Sequence, residues 1–188
     1  MFAEFFGLPL HPLIVHATVM FIIATAVGVI ALAIRPQWRH KYGLLLVIVS
    51  WLSVLSAWVA VESGNLLTAY PGLGATPHAA GGTALFVLLI PFAIIVTLMV
   101  GMDRKWHWNV NKHGGVWRDN EPQAMILSFV CVLAVIASLV IVGQTAIVGH
   151  SGAEASWSDV DLSKFLENHP NAAASGQLFK DNTIVIRR

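Results

Sequence analysis

Charge is what this sequence has least of. Only 11 % of its 188 residues are Asp, Glu, Lys or Arg, whereas 56 % are hydrophobic, and the mean hydropathy is +0.71. An average soluble domain carries about 25 % charged residues, so the polar surface needed to cover a water-facing globule is missing and a cytosolic enzyme is excluded. Cysteine is nearly absent too. The single Cys131 excludes an internal disulfide and any CxxC metal or redox site, and its place in an apolar run reads as a small core residue. Neither sign of charge dominates: 11 Lys and Arg balance 10 Asp and Glu for a net charge of +1, which leaves no footprint for nucleic acid. Neither a Ser-His-acid arrangement nor HExxH occurs at a usable spacing, so no hydrolase is expected.

What is present is apolar length. A crossing takes about 20 apolar residues. Stretches free of Asp, Glu, Lys and Arg run over residues 5–34, 43–61, 63–102 and 122–153, and the third is interrupted by Tyr70-Pro71-Gly72-Leu73-Gly74. These define an all-α integral membrane protein, a bundle over residues 1–153 of four transmembrane helices at about 12–34, 43–61, 78–102 and 124–149. A polar tail follows over 154–188. In it, residues 158–167 read as a short helix stopped before Pro170, and Thr183-Ile184-Val185-Ile186 as an extended run.

Basic residues between the spans set the expected orientation. Arg35, Arg39 and Lys41 fill the first connection and Arg104, Lys105, Lys112 and Arg118 the third, while the N-terminal segment and the second connection have none. Both basic connections are therefore expected in the cytoplasm, and both termini outside. Met1-Phe2-Ala3-Glu4 lacks a positive start, so the first span is expected to be retained rather than cleaved. Trp106, Trp108 and Trp117 have the composition of an interfacial anchor, and alternation through Trp106–Val110 suggests a small hairpin.

Small residues mark the faces by which helices approach in lipid. Ala17, Ala24, Gly28 and Ala31 form one such row on the first helix, Ser53, Ser56, Ala57, Ala60 and Gly64 another on the second, and Gly143 and Ala146 share a face with His150 on the fourth. Pro91 is expected to kink the third helix. A faint repeat matches Pro12, Thr18 and Phe21 with Pro77, Thr83 and Phe86, and Glu62-Ser63-Gly64 with His150-Ser151-Gly152, as two parallel halves.

The chemistry-bearing residues are histidines. Four of the eight, His11, His16, His78 and His150, fall at the outward ends of three helices, with Glu62 and Glu154 at the same level. Ionisable groups at membrane depth are costly and mark function. By helical rotation His16, His78 and His150 can converge, Glu62 lies about 180° from the Ser53 face, and His11 reads as a local residue at a helix start. Imidazoles on adjacent helices suit haem iron or a transition metal, and neutral histidine also relays protons or holds a quinone. Histidines that tie helix ends to loop carbonyls are the plain alternative.

At Pro9-Leu10-His11-Pro12-Leu13-Ile14-Val15-His16, Pro77-His78-Ala79-Ala80 and Gly149-His150-Ser151-Gly152 the chain resembles a family of small bacterial four-helix membrane proteins of uncharacterised activity. The resemblance covers most of residues 8–153 and implies a fold and an outward histidine layer, in a bacterial plasma membrane. The expected function is a non-catalytic accessory or assembly subunit of a larger membrane complex, of respiratory-chain type, with other integral membrane subunits and lipid as partners. The alternative is a small haem- or metal-binding redox protein using His16, His78 and His150, with His11 as a further metal ligand. A transporter is the weakest reading, because no Asp, Glu, Lys or Arg is expected in the inner halves of the helices.

Overall fold

The computed structural model describes residues 4–5, 8–68, 77–113 and 122–157. A minimal antiparallel pair, β1 (Glu4–Phe5) with β2 (Leu8–Pro9), precedes four helices: α1 (Leu10–Ile34), α2 (Pro36–Thr68), α3 (Pro77–His113) and α4 (Pro122–Trp157). All four are long and apolar enough to cross a membrane. Two compact units are distinguished, Met1–Gly149 and His150–Arg188. The tail segments 158–167 and 183–186, together with Trp117, lie outside the described residues.

The helices are longer than the four expected spans, because continuing a helix is the simplest way to satisfy backbone groups at the edge of lipid. Proline opens α2, α3 and α4, where its missing N–H costs no hydrogen bond and its fixed φ suits the first turn. Between α1 and α2 stands Arg35 alone, its N–H donating to the Ala31 carbonyl at 2.9 Å while its own carbonyl accepts from Trp38 N–H at 3.0 Å. Much of the expected first connection is therefore the first turns of α2. There Trp38 and Tyr42 stack edge to face at 6.3 Å and Lys41 Nζ lies 5.0 Å from the Tyr42 ring centre, an interfacial aromatic girdle. The expected hairpin at Trp106–Val110 is not formed. α3 runs on as helix to His113, and it also passes through Pro91 without interruption, the proline ring lying on an exposed face.

One stripe of each helix faces the core. On α1 it is Thr18, Ile22, Thr25, Ala26, Val29 and Leu32, at the 3.6-residue period. On α4 it is Cys131, Ala134, Ser138, Ile141 and Val148. Close approach is set by glycine: a Cβ at Gly28 would stand 2.5 Å from Leu46 Cδ1, and one at Gly43 2.7 Å from Val100 Cγ1. α2 buries Ser53, Ser56, Ala57 and Ala60 of the small row expected of it, and half-buries Gly64. On α4 the expectation fails, since Gly143 and Ala146 point out of the bundle and nothing lies within 4 Å of a Cβ at Gly143. Only 22 % of the apolar span of α4 is buried, against 33–39 % for the other three.

Buried hydroxyls are satisfied within their own helices. Thr18, Thr25 and Ser53 donate to carbonyls four residues back, and Ser50, Ser56 and Ser138 to carbonyls three back, at 2.7–3.1 Å. Thr25 and Ser53 also meet across α1 and α2 at 3.3 Å. A contact of this kind knits two helices together.

Candidate functional site

Two polar centres stand at opposite ends of the helices. At the end where α1 and α3 begin and α2 finishes, His11 and His78 come together with ring centres 6.2 Å apart and planes at 85°. His11 Nδ1 lies 2.8 Å from the Ala60 carbonyl, and His78 Nδ1 lies 3.0 Å from the Val148 carbonyl. A carbonyl only accepts, so each ring donates from Nδ1, which leaves Nε2 as the acceptor nitrogen of the neutral imidazole. Ser63 Oγ lies 3.4 Å from His11 Nδ1 and donates to the same Ala60 carbonyl at 3.1 Å. Gly64 lets the His11 ring sit against α2, for a Cβ there would come 3.0 Å from Cε1.

His11 is thus no local helix-start residue: it bridges 49 positions to α2. The two clips also give the repeat its physical form. Ala60 precedes Glu62-Ser63-Gly64 by two residues, as Val148 precedes His150-Ser151-Gly152. The first helix of each hairpin therefore donates an imidazole N–H to the equivalent carbonyl of the second. The Thr18 and Thr83 match is weaker, because Thr18 is buried and Thr83 exposed.

The other expected residues are placed differently. His16 is exposed, and its Nδ1 donates to the carbonyl of Pro12 in its own helix at 2.6 Å. Glu62 is exposed, on the side of α2 that carries Trp58. His150 belongs to the second unit, where Nε2 lies 3.3 Å from Glu154 Oε1, one helical turn on, and both side chains are largely exposed. Among the described residues no group of three or more His, Cys, Asp or Glu side chains converges on one point.

The second centre was not expected. Arg39, read from sequence as a residue of the first connection, and Asp103 are buried, with 9 % and 4 % of their side-chain surface exposed, and Arg39 Nη1 lies 3.7 Å from Asp103 Oδ1. The same nitrogen donates to Cys131 Sγ at 3.3 Å. Arg39 Nε is buried with no hydrogen-bond partner among the described residues. The expectation that the inner halves of the helices hold no Asp, Glu, Lys or Arg is corrected here, because α2 and α3 extend past the apolar runs and carry Arg39 and Asp103 within them. A signal existed: Arg39 is in phase with Gly43, Leu46, Ser50 and Ser53, and Asp103 with Val96, Met99 and Val100, all buried. A charge in phase with a buried stripe is carried inward, whatever its distance from the end of the apolar run.

Four apolar helices, hydroxyls bonded to their own backbones and polar centres confined to the two ends define a multi-pass integral membrane protein. The chain belongs to the family described as predicted membrane protein (DUF2231), whose model matches residues 7–160. No curated protein and no solved structure matches it.

Proposed function

We propose that the chain is a non-catalytic accessory or assembly subunit that docks in the membrane against a larger integral partner through α4. The observation that carries this is the outward face of α4. Small residues in transmembrane helices gather where another helix approaches closely, yet Gly143 and Ala146 face away from their own bundle. Leu139 and Val142 beside them are exposed, which supplies the apolar flanks of a helix–helix contact. Basic residues in and beside the α1–α2 and α3–α4 connections favour their placement in the cytoplasm, with the tail on the outer face of a bacterial plasma membrane.

The test is affinity purification in mild detergent from the native membrane. Larger membrane chains should co-purify with the wild type and be lost from a Gly143→Ile, Ala146→Ile variant that still extracts as a folded protein. Clean isolation of the wild type alone under those conditions would refute the reading. Identifying the co-purifying chains also tests the expectation of a respiratory-chain complex.

A further inference from the structure

The geometry points to a two-nitrogen metal site at His11 and His78, suited to a single cuprous ion. This is independent of the subunit reading above and rests on how the two rings are held. Ligand histidines almost always donate their second ring N–H to a backbone carbonyl or carboxylate, which fixes the tautomer and makes the other nitrogen a better donor to the metal. Both rings meet that condition, His11 through Ala60 and His78 through Val148, at 2.8 and 3.0 Å. They do so from the first turns of two different helices, related by the internal repeat, so neither ring depends on a mobile side-chain partner for its orientation.

Spacing agrees with a shared ion. At about 2.0–2.1 Å per metal–nitrogen bond, two imidazoles on one ion stand roughly 5 to 6.5 Å apart between ring centres. The observed separation is 6.2 Å. Both rings are half-buried at the end of the bundle, which allows entry from water without crossing the apolar core.

The number of donors selects the ion. Zinc takes three or four protein ligands, and among the described residues no third His, Cys, Asp or Glu joins the pair. Iron in haem accepts two imidazoles, but the macrocycle needs a slot between the helices. Here the His11 ring already abuts Gly64, and a Cβ at Gly81 would come 3.1 Å from Val148 Cγ2, so the helices beside both rings are closely packed. A cuprous ion is satisfied by two imidazole nitrogens in a near-linear arrangement, which sets the ring centres toward the far end of that range, as the 6.2 Å separation is. Imidazole is a good copper ligand, and the neutral rings keep the site's charge to that of the ion.

The experiment uses the full chain in detergent under anaerobic reducing conditions, titrated with Cu(I) against a chromophoric chelator. The wild type should retain about one ion per chain, and substitutions that remove one nitrogen should weaken binding by about 10- to 100-fold or more. His11→Asn and His78→Asn are the informative variants, because the asparagine amide can still donate where Nδ1 did while Nε2 is lost. His16→Asn and His150→Asn should bind as the wild type does. X-ray absorption at the copper edge should show two nitrogen neighbours. The inference is overturned if the wild type retains no copper, if His11→Asn and His78→Asn leave binding unchanged, or if the purified chain shows a Soret band lost in those variants.

Discussion

Replacing Asp103 with leucine leaves the Arg39 guanidinium buried opposite an apolar side chain. At the observed separation of 3.7 Å, the attraction between the two charges is worth about 4.5 kcal/mol for an effective dielectric of about 20. Most of that attraction offsets the cost of taking both groups out of water, so the pair itself adds little net stability. Removing one partner is another matter, because the remaining charge keeps its desolvation cost without compensation. Asp103→Leu and Arg39→Met should therefore each lower stability by about 3–5 kcal/mol. The double variant should recover most of this and lie within about 1 kcal/mol of the wild type, since two apolar side chains of similar length fill the same space. Cys131 loses its donor in Arg39→Met, a small effect because a thiol is a weak acceptor. The assay is reversible unfolding in mixed micelles, read as a double-mutant cycle. Single variants as stable as the wild type, or a double variant whose loss equals the sum of the two, would refute the pairing and its burial.

Other substitutions test the packing. Gly43→Ala should destabilise by about 1–3 kcal/mol because the new methyl meets the stiff, branched Val100, while Gly28→Ala should cost less because Leu46 can swing its end aside; thermal melts in detergent rank the two. Leu89 is fully buried and Leu88 is 40 % exposed, so Leu89→Ala should cost about 2–5 kcal/mol and Leu88→Ala under about 1 kcal/mol in the same unfolding assay. Cys131 is 8 % exposed, so a maleimide should label it slowly in the folded protein and fast once detergent has unfolded it; equal rates would place the thiol on the outside.

The four crossings were legible from composition along the chain, because the length of an apolar run is a local property set by the thickness of the bilayer. So was the end of the helices at which His11 and His78 gather. The particular pair was not: rotation about the helix axis favoured His16, whose ring turns out to bond its own helix, over His11, which reaches across to Ala60. Residues in the first turn of a helix are poorly described by an average rotation, because what they meet depends on where the neighbouring helix ends. The small row on α4 shows the same limit from the other side, since small size marks a possible contact face but does not say whose helix fills it.

By itself, then, the sequence determined the membrane environment, the number of spans and the segments in which polar groups would gather, all of which follow from transfer of residues between water and lipid one segment at a time. Tertiary structure decided which side chains within those segments meet. Arg39 and Asp103 pair because α2 and α3 close on each other at Gly43 and Val100, and His11 and His78 pair because each is held by a carbonyl of the helix that follows it in its hairpin. The rotation of each helix about its own axis is fixed by all its neighbours at once, and no single stretch of sequence contains that information.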